Sequence, residues 1–276
     1  MTALRGIISF LVILLMMPLG HAFVVLMEHN LEDVALKCSA TVLGFVGVLL
    51  AFFGNRFRSE VKKILSGAFG AILFWGAWVE FIYINYSRFL GVQPLLIGNE
   101  VYTKPEYLMM PSALPFAVLA FIFYLYAANT NWGLVKVLRR CLHINNGFAR
   151  YGESIRTFID LILLIWWAYL ILLVEYDPYL LGVRHPLTLA FSCICLVSGI
   201  ILFVRSLKAQ TWASALRQAI VTVCVLWTFI EVMLKLRLFT EVWIYPDKYI
   251  VEMSLTLAAF IIAIFIILVY NRKSSN

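Results

Sequence analysis

Two glutamates lie inside apolar runs where a carboxylate is costly. Glu80 sits in ILSGAFGAILFWGAWVEFIYINYSRFL and Glu231 in AIVTVCVLWTFIEVMLKL. An ionised acid near the middle of a bilayer helix costs roughly 2.5 to 3.5 kcal/mol even on a lenient scale. Each acid therefore needs a partner from another helix, water, or a bound proton. Three kinds of chemistry suit such groups. They can bind a cation or cationic solute, relay protons, or act as general acids on a lipid-soluble substrate.

The surroundings of the two acids differ. On a 3.6-residue period Glu80 shares a face with Gly76, Tyr83 and Ser87, and no base stands one turn away. Glu231 has Lys235 one turn on, in the favourable acid-before-base order. Cys224, Thr228, Glu231 and Lys235 form a polar stripe, from which an intrahelical Glu231–Lys235 ion pair is expected, with outward snorkelling of Lys235 as the alternative.

Further acids and imidazoles gather where the apolar runs end: His21, Glu28, His29, Glu106, Glu175, Asp177 and His185. Glu28, Glu175 and Glu106 join Glu80, Glu231, Tyr83, Ser87 and Thr228 as candidate substrate- or ion-binding residues. His21, Glu28 and His29 are the weak metal candidates, because His with carboxylate suits several divalent metals. Yet no HxxxH, HxxEH or ExxH pair occurs among the four histidines, so no intrinsic metal centre is expected and no cofactor is indicated. A phosphate-binding glycine loop, a GxSxG elbow and a zinc-protease signature are all missing, which argues against ATP, serine or zinc hydrolysis. The five cysteines show no disulfide or zinc spacing.

What positions these residues is a membrane. Of the 276 residues 63% are hydrophobic and 13% charged, against about 25% charged in a soluble domain. An all-α polytopic protein is expected, one integral domain with eight spans: Gly6–Met27, Val34–Phe53, Ile64–Tyr86, Met109–Ala128, Phe158–Val174, Leu187–Val204, Ala215–Leu234 and Ile250–Tyr270. The first resembles a signal peptide, with Gly20 and Ala22 at the small-residue positions. The apolar run continues past them, so a retained helix kinked at Pro18 is expected.

Loop charges set the orientation. With the N-terminus inside, 15 of the 22 lysines and arginines fall on the inner side with only Glu60, Glu153 and Asp160, leaving +12 inside and −5 outside. Every inner loop obeys the positive-inside rule. Both termini are thus expected to be cytoplasmic, in a bacterial inner membrane. The bases serve topology rather than nucleic acid, and the partners expected are the lipid bilayer and either membrane subunits or further copies of the chain. In the basic loop 129–156, Trp132, Val135, Leu138 and Leu142 recur at helical spacing, which predicts a short interfacial helix with its bases near lipid phosphates and a turn at Asn145-Asn146-Gly147.

The halves 1–128 and 157–276 echo each other. VVLMEHN and ILLVEYD each end a first helix on an acid, WGAWVEF and LWTFIEV place an acid on a third, and TKPEYLMM and IYPDKYIVEM come after these. Four spans per half predicts two parallel four-helix repeats. For the loop Gly91–Pro111, ordinary interfacial packing is preferred to a lid over the outer end. The abundant aromatics are assigned chiefly to the interfacial belt.

Three functions fit. The preferred one is a transporter or channel-like protein with an outward-facing carboxylate site for a cation, proton or cationic solute. The alternatives are a non-catalytic subunit of a membrane complex and an enzyme acting on a lipid or isoprenoid.

Overall fold

Backbone polar groups inside hydrocarbon have no water to pair with, so apolar runs of this length must close their hydrogen bonds internally as helices. The computed structural model describes residues 2–97, 100–127, 133–144 and 151–273. Among these residues eight helices are long and apolar enough to cross a membrane, which makes the chain a multi-pass membrane protein. They are α1 (Thr2–Asn30), α2 (Asp33–Gly54), α3 (Glu60–Phe89), α4 (Pro105–Ala127), α6 (Glu153–Tyr176), α7 (Pro186–Ser206), α8 (Trp212–Lys235) and α9 (Ile250–Lys273), with a short α5 (Gly133–Cys141) between α4 and α6. All eight fall where the apolar runs place them. Most extend a few residues beyond, because polar ends reach past the apolar window. α1 continues through Pro18 as one helix.

The described residues depart from an all-α architecture at one hairpin, β1 (Leu95–Ile97) with β2 (Glu100–Thr103). The strands pair antiparallel, with a register shift between Leu95 and Leu96. This apolar stretch is too short for a helix across a membrane, and it pairs its backbone with itself.

The helices divide into a packed half and an open half. Val12 and Met16 of α1, Ile64 and Ala68 of α3, Leu161 of α6, Leu216 and Val223 of α8 and Ile267 of α9 form one buried core. It lies toward the end of the bundle that carries the basic loops. Ion pairs and hydrogen bonds tie that end together. Arg217 of α8 donates from Nε to Glu153 of α6 at 2.5 Å and from Nη2 to Glu60 of α3 at 3.2 Å. Asn55 Oδ1 accepts from the Ser154 backbone N–H at 2.9 Å. The third acid expected in the inner loops, Asp160, belongs to helix α6 and accepts from the hydroxyl of Tyr124 on α4.

α5 forms within the predicted interfacial stretch, but one of its bases does something else. Arg139 is only 5% exposed and donates from Nε to the carbonyl of Leu125 at 2.6 Å. It satisfies the open carbonyls at the end of α4, where the helix dipole also favours a cation, so it is unavailable to lipid phosphates. Trp132 and the Asn145-Asn146-Gly147 turn lie outside the described residues.

α2 and α3 touch backbone to backbone. A Cβ built on Gly70 would stand 2.5 Å from the carbonyl oxygen of Gly47, and one on Gly47 would stand 2.6 Å from that of Gly70. Close approach through glycine is how membrane helices gain packing without a hydrophobic driving force between them. The expected outcome is that Gly70→Val lowers the unfolding free energy by about 1 to 3 kcal/mol through overpacking. Phe52→Ala, at a lipid-facing position 60% exposed, should change it far less. Reversible unfolding of the detergent-solubilised protein measures both.

Candidate functional site

α3 is not regular where it carries Glu80. Residues Trp75–Glu80 form a π-helical turn, and α-helix resumes at Phe81. A π turn inserts one residue into the helical register and is frequent at functional sites. α2 braces it: the Trp78 indole donates from Nε1 to the Thr41 carbonyl at 3.1 Å and occupies the space beside Gly44 that any side chain there would fill. Gly76, inside the turn, brings α3 against Val24 of α1.

Beyond the turn the helix is regular, and one of its faces carries the site. Glu80, Ile84, Ser87 and Arg88 face one cavity, whereas Tyr83, expected on the same face, does not line it. The cavity holds about 370 Å³ between α1, α3, α6 and α8 at the acid-rich end of the bundle. Glu231 lines it from α8, so the two acids singled out in the sequence meet in one space although 151 positions apart.

Each acid has its own partners. Glu80 is 12% exposed, and its Oε1 lies 3.5 Å from Nε2 of His21 on α1. The missing base on its own helix is thus replaced by an imidazole from a neighbour. Glu231 accepts from the indole Nε1 of Trp227 at 2.8 Å and from the hydroxyl of Tyr176 on α6 at 3.3 Å. The expected ion pair with Lys235 does not form. The ammonium of Lys235 sits 5.2 Å from the centre of the Tyr176 ring, a cation–π position. Neutral donors therefore hold Glu231, and no lysine or arginine pairs with it.

The stretch Gly91–Pro111 contributes to the site where it enters α4, since Lys104, Pro105, Glu106 and Tyr107 all line the cavity. Glu241 and Ile244, at the one-turn helix Val242–Ile244, contribute from the opposite side. Tyr107 stacks on Tyr169 with ring centres 6.0 Å apart, and Tyr169 packs on Trp75 of the π turn at 5.4 Å. At the rim Arg88 reaches Glu28 at 3.9 Å. Five acids (Glu28, Glu80, Glu106, Glu231, Glu241) face three lysines or arginines (Arg88, Lys104, Lys235) across this space, so it favours positive charge. The exposed bases Arg88 and Lys104 stand at the mouth, and Glu80 and His21 lie deeper.

The other candidates fall elsewhere. Thr228 is buried and donates to the Cys224 carbonyl at 3.2 Å. His29 pairs with Asp247 at 3.0 Å on the surface, which separates it from His21 and Glu28. Among the described residues no group of three or more His, Cys, Asp or Glu is arranged to hold a metal. Glu175 lines a different, apolar groove on the far side of α6.

Tyr107, Tyr169, Tyr176, Arg88 and Lys104 were not singled out by sequence, and Lys235 was expected only as an ion-pair partner of Glu231. One signal was present: Tyr169, Leu172, Leu173 and Tyr176 repeat at three, four and seven residues, one polar-edged face of α6. Because His21 approaches Glu80 to 3.5 Å, a double-mutant cycle of His21→Ala and Glu80→Gln should give a coupling of about 0.5 to 1.5 kcal/mol in unfolding free energy. Strictly additive effects would show that the two groups are merely neighbours.

No protein-family model, curated protein or solved structure matches this chain, so the functional argument rests on the site itself.

Proposed function

We propose that the protein is a transporter whose cavity binds a small amine-bearing solute. The observation that carries this reading is the meeting of Glu80 and Glu231 in one cavity with neither held by lysine or arginine. An ammonium entering between them replaces water on both carboxylates, and the faces of Tyr107, Tyr169 and Tyr176 give it cation–π contacts. The bases at the mouth then favour a solute whose other end is anionic. We place the base-rich end of the bundle in the cytoplasm, by the positive-inside rule, so that the cavity opens outward. The buried core of α1, α3, α6, α8 and α9 closes it from the inner side, the arrangement of an outward-open carrier.

Alternating access needs two parts that rock against each other, and we propose that these are residues 1–128 and 157–276, related by an axis along the membrane normal. Exchange of helix neighbours supports this. α2 packs on α3 as α7 packs on α8, and α3 meets α6 as α8 meets α1. α4 lies against α6 as α9 lies against α1, and the central pair α3–α8 exchanges with itself. Glu80 and Glu231 occupy corresponding helices in that scheme.

A second reading, an enzyme acting on a lipid-soluble substrate, has one specific observation behind it: Tyr107 and Leu173 line both the cavity and the apolar groove beyond α6, which offers lateral entry from the bilayer. His21 and Glu80 would be its acid–base pair. A non-catalytic subunit, with the acids as glue between helices, has less support because neither Glu80 nor Glu231 meets a lysine or arginine.

Proteoliposomes should take up labelled small amines, from methylammonium to zwitterionic amino acids. Glu80→Gln and Glu231→Gln should each lower that uptake by about tenfold or more, the equivalent of roughly 1.4 kcal/mol of lost binding. Wild-type flux from both variants overturns the transport reading. Absence of flux together with a lipid species that disappears in cells carrying Glu80→Gln favours the enzyme.

A further inference from the structure

Glu175 is the most isolated acid among the described residues. It is 3% exposed, and it makes no hydrogen bond or ion pair, with Oε2 fully enclosed. Buried polar groups are paired in the great majority of structures, so an orphan asks for a partner. Two more orphans lie on the same groove: the hydroxyl of Thr103, a residue 5% exposed, and the indole Nε1 of Trp167.

The groove itself holds about 730 Å³, bounded by α4, α6 and α7. It exists because α7 packs on α8 and leaves its other flank apart from α6. It is not a general packing defect, since the crevice between α1 and α2 holds only about 30 Å³. Its walls are apolar along the helices, with Leu170 and Ile171 of α6 facing Phe191 and Ile194 of α7. The polar atoms of Glu175 and Thr103 stand at its acid-rich end, near the terminus of α6. From Trp167 to Glu175 the groove follows about 12 Å of helix.

We infer that this groove is a binding site for a neutral membrane lipid with a free hydroxyl, its hydroxyl donating to Glu175 and its chain lying between α6 and α7. No lysine or arginine lines the groove to hold an anionic headgroup. A long-chain ammonium would have to sit with the carboxylate as a desolvated ion pair between apolar walls, which is costly away from water. A hydroxyl bonds to the carboxyl in either protonation state and can accept from Thr103 as well. The apolar length of the groove, parallel to membrane-spanning helices, matches a chain that already resides in the bilayer. The site is distinct from the central cavity and does not depend on transport there.

The test uses the full chain in nanodiscs with photoreactive diazirine probes of equal chain length: hexadecanol, hexadecylamine and hexadecanoic acid. The alcohol should label peptides covering 167–175 and 187–194. Labelling by the acid and the amine should be about tenfold weaker. Glu175→Leu should cut labelling by the alcohol by about tenfold, the loss of one hydrogen bond to a carboxyl. Its melting temperature should not fall, because the change removes an unpaired buried polar group; a variant that does unfold is replaced by Glu175→Gln, which keeps an acceptor and should retain labelling. Equal labelling by all three probes, or labelling unchanged in Glu175→Leu, overturns the proposal. So does an intermolecular cross-link showing a second copy of the chain in the groove, with no probe labelling.

Discussion

A carboxylate inside a membrane is tolerated only where something replaces its water, and the acid-rich half of this bundle is organised around that requirement. The two central acids meet it differently. Glu80 takes an imidazole from α1, and Glu231 takes an indole from its own helix and a phenol from α6. Neither acid meets a lysine or arginine, and both line one cavity together with Tyr107, Tyr169 and Tyr176. In the base-rich half the opposite solution holds. Glu60 and Glu153 are matched by Arg217, and the helices there close into an apolar core.

Local backbone irregularity connects the two halves. The π turn at Trp75–Glu80 shifts the register of α3 just where the packed core ends and the cavity begins. It is held by the Trp78–Thr41 hydrogen bond and by a glycine, Gly44, that leaves room for the indole. α8, the counterpart of α3 in the proposed repeat, is regular along its whole length. The corresponding acids therefore present themselves at different angles, and the cavity has unlike walls. Such asymmetry suits a ligand with two chemically different ends.

Glu175 obeys the same logic in a drier place. Its helical neighbour Tyr176 points into the central cavity, and Glu175 points the other way, into an apolar groove. Two adjacent residues of α6 thus serve two separate spaces, with Tyr107 and Leu173 as the partition between them.

Much of this was legible in the residues. Eight spans, the acidic and basic ends and the two acids that need partners, Glu80 and Glu231, come from hydropathy and charge, because a bilayer imposes the same rule on every helix. Only the tertiary structure decided which groups share a space. Helical periodicity allowed either Tyr83 or Ile84 beside Glu80, and the packing of α3 against its neighbours turned Ile84, not Tyr83, into the cavity. Spacing paired Lys235 with Glu231, yet the ammonium lies over the ring of Tyr176, a residue of another helix that spacing cannot bring into view. The stretch near Pro105 gave no periodic signal, and its place at the site depends on helices distant in the chain. Sequence determines where a polar group must find a partner; packing between remote helices determines which partner that is.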